Sequence, residues 1–170
     1  MNKNTELLLF GVRIDEMSQY YCVELERYVD DSFLPPDFRS IQEWGERRNY
    51  AKHKPHLRRW LKEWHIDTIQ GFLEIPHALG LNDTLWVRNA EENLLWENVS
   101  LYTNDFTDVV AKTAFSKGLN GLKLSSTSPE FTSEGSFEKC WIRDKSGHIQ
   151  LYKKGTERYA NAGLEPYSEF

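Results

Sequence analysis

A lysine near the C-terminal end of the chain, Lys153, occupies a position from which a side chain could bind an anion. It falls in a predicted antiparallel hairpin with strands over residues 137–143 and 148–154 and with Gly147 in the turn between them. Leu151 and Lys153 alternate onto one face of the second strand. A cation at the end of an apolar face either extends to water or faces an anion.

A loop of small residues, 125–136, precedes this hairpin and is predicted to be mobile. In kinase-like nucleotide sites such a loop lets backbone N–H groups approach phosphates, and a lysine on the neighbouring strand pairs with them. A glutamate that follows, here Glu165 or Glu169, usually holds that lysine. However, Gly135 is the loop's one glycine, and neither a P-loop nor a protein-kinase glycine pattern is present. Since ordinary hairpins also carry edge lysines, a purely structural role for Lys153 stays open.

Several motifs carry a resemblance to a known family. They read SPEFT from Ser128, GSFEK from Gly135, LYKKGT from Leu151, NAGLEPYSEF from Asn161, NDTLWV from Asn82 and WENVSLY from Trp96. With these motifs, in this order, the chain resembles the HipA-like family of bacterial serine/threonine kinases. More narrowly, it is similar to the HipA-like C-terminal domain proteins of Gram-positive bacteria and their phages.

The resemblance implies a nucleotide site that uses ATP and Mg²⁺. The loop over residues 135–139 would cover the ATP phosphates, and Lys153 would contact them. The residues that the resemblance assigns to nucleotide binding are Gly135, Ser136, Lys139, Lys153 and Glu165. Thr132, or Ser133 beside it, matches the position of the family's regulatory phosphorylation site.

The chain departs from the family at its C-terminal end. In the family a large helical lobe follows and supplies the catalytic aspartate and the metal ligands, whereas this sequence stops at Phe170, where a helix is expected to begin. We therefore assign no catalytic residue and no metal ligand, and we expect ATP binding by this chain to be weak or absent. The expected partner is the missing kinase lobe or a separate kinase or antitoxin protein.

The sequence predicts an α+β fold with an N-terminal β-hairpin, a helical middle and a C-terminal antiparallel hairpin of a kinase-like small lobe. We expect an N-terminal α+β region over residues 1–124 and a partial small lobe over residues 125–170. The predicted N-terminal and middle elements are strands over 6–14 and 19–29, a helix over 37–51, a helix beginning at Pro55, a helix capped by Asp67 with Gln70, a short strand over 84–88 and a helix over 107–115.

Composition restricts the class of protein. The formal net charge of −5 argues against general nucleic-acid binding. A basic stretch over residues 47–59 is the exception, and we interpret it as a solvated helix face. Two widely separated cysteines predict reduced thiols in a cytoplasmic protein. The sequence contains no signal peptide and no apolar run long enough for a membrane span.

Two other functions remain open. The chain could be a non-catalytic, antitoxin-like interaction module that binds a kinase partner. It could also be a phage-associated DNA-binding protein that uses the basic stretch of residues 47–59. Neither the five histidines nor the two cysteines form a metal-ligand pattern.

Overall fold

A computed structural model of the chain describes residues 1–18, 20–55, 57–106, 127–135, 139–153 and 168–169. Two antiparallel sheets flank a group of short helices, which is the α+β arrangement that the sequence predicts. In the described part of the chain, no helix is both long enough and apolar enough to cross a membrane.

The N-terminal hairpin consists of β1 (Leu8–Ile14) and β2 (Tyr21–Tyr28), which pair in an antiparallel register with Val12 opposite Val23. The register shifts between Leu9 and Phe10, as in a β-bulge. Side chains alternate along each strand, so Phe10, Val12 and Val23 share the face that packs on the helical core. The N-terminal hairpin that the sequence predicts is therefore confirmed.

The described residues of the helical middle form four short α-helices. They are α1 (Ile41–Arg48), α2 (Arg58–Glu63), α3 (Ile69–Glu74) and α4 (Trp96–Val99), and a 3₁₀ helix (Tyr50–His53) follows α1. Ser40 caps α1, and the hydroxyl of Thr68 caps α3 by accepting from the Gly71 N–H. The prediction that Asp67 caps α3 is therefore wrong by one residue, because Thr68 has the extended backbone that a cap requires.

The C-terminal sheet has the order β3 (Lys139–Arg143), β4 (Ile149–Lys153) and β5 (Ser168–Glu169), with both pairs antiparallel. Gly147, at φ +88°, closes the β3–β4 turn as the sequence predicts. β5 is a correction, because the expected helix is not present at residues 168–169. Instead, these residues pair with Tyr152 and Leu151 of β4.

Two further predicted elements, a strand and a helix, are not found as the sequence predicts or lie outside the described residues. The expected strand over residues 84–88 is reduced to a single bridge between Asn2 and Leu85, and the Val87 N–H donates instead to the carbonyl oxygen of His77. The helix predicted over 107–115 and the boundary between residues 124 and 125 lie outside the described residues. Both cysteines are free thiols, as expected, and burial raises the pKa of Cys140 to about 11.

Two apolar clusters form the core of the part of the chain that the structure describes. The second, smaller cluster is centred on Trp86 and Trp96. The first contains Ala51, Leu57, Leu61, Ile66, Ile69, Phe72, Leu73, Ala78 and Phe131. Phe131 comes from the segment just before the C-terminal sheet, yet it is fully buried among residues of the helical middle. The segment of residues 127–135, which we call the linking segment, is therefore fixed on the helices.

Candidate functional site

Two lysines face each other across the C-terminal hairpin. Lys139 of β3 and Lys153 of β4 are register partners, and residues directly opposite in an antiparallel pair project from the same face. Lys139 is buried, and Lys153 is half-buried. Both belong to the set that the resemblance assigns to nucleotide binding, and the fold places them side by side.

Gly135 lies close to Lys139 of this pair. Its φ of +90° is in the left-handed region that favours glycine. A Cβ atom added there would lie 3.3 Å from Nζ of Lys139, so the main chain of the linking segment passes close to the Lys139 ammonium group. The structure thus brings Gly135, Lys139 and Lys153 together. Ser136 and Glu165, the other residues that the resemblance assigns to the nucleotide, lie outside the described residues.

A third lysine, Lys54, is buried beneath the linking segment. Only 2% of its surface is exposed, and its Nζ donates a hydrogen bond of 2.5 Å to the carbonyl oxygen of Glu130. The interpretation of residues 47–59 as a solvated face is therefore wrong for Lys54. Burial, together with the charge on Lys139, lowers the pKa of Lys54 to about 8.

Glu130 connects this lysine to β3. Its carboxylate is buried, and Oε1 accepts a 2.8 Å hydrogen bond from the backbone N–H of Trp141. Oε2 has no hydrogen-bond partner among the described residues. Burial raises the pKa of Glu130 to about 7, an effect only partly opposed by the Trp141 N–H and by the charges of Lys54 and Lys139. Because Lys54 and Glu130 are separated by 76 residues, no sequence pattern marks this contact.

The linking segment makes further hydrogen bonds to the helical middle. The hydroxyl of Thr132 donates to the Leu79 carbonyl oxygen at 2.8 Å, and the Tyr50 hydroxyl donates to Oε1 of Glu134 at 2.7 Å. Residues 128–132 are all buried, whereas Glu134 and Gly135 are exposed. The prediction of a mobile loop is therefore wrong for residues 128–132, because Phe131 and these bonds hold them on the core.

The two candidate phosphorylation sites differ in their environments. Thr132 is buried, and its hydroxyl donates a hydrogen bond to the Leu79 carbonyl oxygen. Ser133 is half-buried, and its Oγ accepts a hydrogen bond from the indole N–H of Trp141 at 3.3 Å. Thr132 also lines a cleft of about 250 Å³ whose wall includes Trp44 and Arg48. The lysine pair does not line that cleft, so the two features are separate.

Arg48, a second cation of the basic stretch of residues 47–59, is also paired within the protein. The guanidinium group of Arg48 pairs with the carboxylate of Asp83 through two bonds of 2.6 and 2.8 Å, and Nε donates to the Ala78 carbonyl oxygen. Arg47 forms an exposed ion pair with Asp37. With Lys54 also buried, the stretch does not present a continuous row of cations to a DNA backbone.

The lysine pair can bind phosphate chemically, because ammonium groups donate charge-assisted hydrogen bonds to phosphate oxygens. Metal ligation is a different matter. Within residues 1–18, 20–55, 57–106, 127–135 and 139–153 there is no group of three or more histidine, cysteine, aspartate and glutamate side chains that could hold a metal ion. We derive no step through the Mg²⁺ that the resemblance implies.

Comparison with known proteins finds no matching family model, no matching curated protein and no matching solved structure.

Proposed function

We propose that this chain binds the phosphate groups of a nucleotide at Lys139 and Lys153, as part of the small lobe of a HipA-like kinase. One observation carries the proposal. Two lysines stand directly opposite each other on one face of a hairpin, with the main chain at Gly135 close to the Lys139 ammonium group.

The spacing of the two lysines suits a phosphate ligand. Directly opposed side chains in an antiparallel pair have Cβ atoms about 5 Å apart, so both ammonium groups can reach one phosphate. A phosphate bound between Lys139 and Lys153 would accept a charge-assisted hydrogen bond from each. The nearby Glu130 carboxylate also interacts electrostatically with Lys139.

ATP is the ligand that the sequence resemblance points to. The GSFEK and LYKKGT motifs, which carry much of that resemblance, contain Gly135, Lys139 and Lys153. The closeness of Gly135 to Lys139 supports the assignment, because a position without a side chain lets the Lys139 ammonium group lie next to the backbone that would cradle a phosphate.

Calorimetric titration of the chain with ATP, and separately with pyrophosphate, tests the proposal. Two charge-assisted contacts support a Kd of about 0.1 to 1 mM. Lys153→Ala should weaken binding about tenfold, as expected for the loss of one such contact. Lys145→Ala is the matched control, because Lys145 lies in the exposed turn of the same hairpin.

The outcomes separate clearly. Binding of both ligands, weakened by Lys153→Ala and unchanged by Lys145→Ala, supports the proposal. Equal affinity of the wild type and Lys153→Ala would refute it, and so would the absence of binding at millimolar concentrations. Submicromolar affinity would contradict the expectation of weak binding and would require contacts beyond the lysine pair.

A second candidate function, a non-catalytic module that binds a kinase partner, rests on the distal end of the N-terminal hairpin. Three large apolar side chains are exposed there: 51% of Ile14, 96% of Met17 and 76% of Tyr20. Clustered exposed apolar side chains are typical of protein-binding surfaces.

Co-expression with the product of the adjacent reading frame tests this second candidate. The two proteins should purify together, and the double variant Met17→Asp, Tyr20→Asp should separate them while Lys145→Ala does not. Co-purification that is unaffected by the double variant, or no co-purification at all, would count against this surface.

A further inference from the structure

Lys54 occupies an unusual environment for a lysine. It follows the 3₁₀ helix of residues 50–53, and its side chain is enclosed between that helix and the linking segment. Burying an ammonium group costs free energy unless hydrogen bonds and nearby charges compensate. An apolar side chain would fill the same space without that cost, so the charge and the hydrogen-bond donors need an explanation.

The bonding partners of Lys54 lead directly to the anion site. Its ammonium group donates a hydrogen bond to the carbonyl oxygen of Glu130, and the Glu130 carboxylate accepts one from the backbone N–H of Trp141. Trp141 lies two residues after Lys139 on β3. The chain of contacts from Lys54 through Glu130 therefore fixes the position of β3, and with it Lys139, relative to the helical middle.

Lys54 is also connected to Lys139 by electrostatic interaction. Lys54 and Lys139 interact electrostatically at a buried location, where each raises the positive potential at the other. Positive potential at Lys139 attracts an anion. The neighbouring Glu130 carboxylate offsets part of this potential, and its Oε2 has no hydrogen-bond partner among the described residues.

We propose that Lys54 is a positioning residue of the phosphate site: by bonding the carbonyl group of Glu130 it sets the linking segment and β3 in place, and its charge strengthens anion binding at Lys139. This inference rests on the proposed function, because it assigns Lys54 a role in the same phosphate site. It requires no direct contact between Lys54 and the phosphate.

Three substitutions at residue 54 separate the two contributions. Lys54→Arg keeps both the charge and a donor, Lys54→Gln keeps a donor but loses the charge, and Lys54→Met loses both. Lys62→Met is the matched control, because Lys62 is an exposed lysine of the nearby helix α2. Each variant is first checked for folding by circular dichroism and thermal denaturation.

Pyrophosphate affinity is then measured by calorimetry, and hydrogen exchange of the Trp141 amide is followed by NMR. We expect Lys54→Met to weaken pyrophosphate binding about tenfold, because it removes a nearby positive charge and the contact that positions β3, and to speed exchange of the Trp141 amide. Lys54→Gln should fall between Lys54→Met and Lys54→Arg in affinity. Lys62→Met should match the wild type in both measurements.

The results distinguish this inference from the proposed function. If the wild type binds pyrophosphate and Lys54→Met binds equally well, the inference is overturned while the proposed function stands. If Lys54→Arg and Lys54→Gln weaken binding equally, the charge has no role and the inference is also overturned. If Lys54→Met does not fold, the comparison of Lys54→Gln with Lys54→Arg decides. If the wild type binds no phosphate, the proposed function fails and this inference fails with it.

Discussion

Arg48 and Asp83 form a two-bond ion pair that closes the helical middle of the protein. Nη1 of Arg48 lies 2.6 Å from Oδ2 of Asp83, and Nη2 lies 2.8 Å from Oδ1. The same guanidinium group bonds the Ala78 carbonyl oxygen and stacks over the ring of Trp44, with 4.9 Å between the guanidinium carbon and the ring centroid. One side chain therefore connects α1 to the turn that precedes Asp83.

Replacement of Arg48 should destabilise the protein strongly. Arg48→Met leaves Asp83 and the Ala78 carbonyl oxygen without their shared partner. We expect a loss of about 2 kcal/mol in the free energy of unfolding, between the values for an exposed and a fully buried ion pair, because the Asp83 side chain is 35% exposed. Arg48→Lys should recover only part of this loss, because a lysine cannot form the planar two-bond contact. Urea denaturation measures both values.

Arg47→Met is the control for this prediction. Arg47 neighbours Arg48 in α1, but its ion pair with Asp37 is exposed to solvent. Exposed ion pairs contribute little to stability, so the midpoint of urea denaturation should hardly change. An equal effect of the two substitutions would show that the Arg48–Asp83 pair has no special role.

Gly71 should tolerate no side chain. A Cβ atom added at Gly71 would lie 1.6 Å from the backbone carbonyl oxygen of His65, and only a movement of the main chain could relieve that overlap. We therefore expect Gly71→Ala to destabilise the protein by about 3 kcal/mol or more. Thermal denaturation of the purified variant, or its failure to accumulate as folded protein, measures the effect.

Gly45 provides the comparison within another helix, α1. There the added Cβ would meet mainly Cδ1 of Ile69, the end of a flexible side chain, at 2.7 Å. Alanine is also favoured over glycine inside a helix by about 1 kcal/mol, which offsets part of the crowding. Gly45→Ala should therefore be much milder than Gly71→Ala, and a reversed order would contradict the packing described here.

Thr132 should be a poor substrate for modification while the protein is folded. Its hydroxyl is buried and donates to the Leu79 carbonyl oxygen, so a kinase reaches it only after the linking segment leaves the core. Thr132→Val keeps the shape but removes the donor, and should cost about 1 to 2 kcal/mol because the buried carbonyl oxygen loses a partner. Mass spectrometry after incubation with a promiscuous kinase should detect phosphate on Thr132 only under partly denaturing conditions.

Local patterns predict the secondary structure well and the buried polar contacts poorly. Alternation of apolar residues identifies both hairpins, and Gly147 identifies the turn between β3 and β4. Lys54 and Glu130 resemble surface residues in the sequence, because lysine and glutamate are rarely fully buried without a partner. Their partners come from distant parts of the chain, so only the folded structure reveals them.

In the candidate site too, local patterns predict some features while contacts between distant residues are not predicted. The sequence singled out Gly135, Lys139 and Lys153 through a motif and a strand pattern, and their closeness in space follows from the register of one hairpin. The attachment of the linking segment to the helical middle depends on Phe131 and Thr132, whose contacts lie more than fifty residues away. No periodicity in a short window encodes such contacts.

The buried pair of Lys54 and Glu130 should give the protein an unusual dependence of stability on pH. Burial raises the pKa of Glu130 from its ordinary 4.5 to about 7 and lowers that of Lys54 from 10.5 to about 8. Between pH 4.5 and 7 the folded protein holds a proton that the unfolded chain has lost, so raising the pH lowers the free energy of unfolding. Between pH 8 and 10.5 the folded protein has lost a proton that the unfolded chain keeps, so raising the pH increases that free energy.

The contribution of this pair is therefore lowest at about pH 7 to 8. Glu130→Gln removes the pH dependence between pH 4.5 and 7, because a glutamine side chain does not titrate. Across pH 5 to 7 the unfolding free energy of the wild type should fall relative to that of Glu130→Gln by at most about 3 kcal/mol, since each unit of pKa difference corresponds to about 1.4 kcal/mol. Urea denaturation of both proteins at several pH values measures this difference. The other carboxylates are the same in both proteins, so their titration largely cancels in the difference. A difference that stays constant from pH 5 to 7 would mean that Glu130 is already ionised in the folded protein at pH 5.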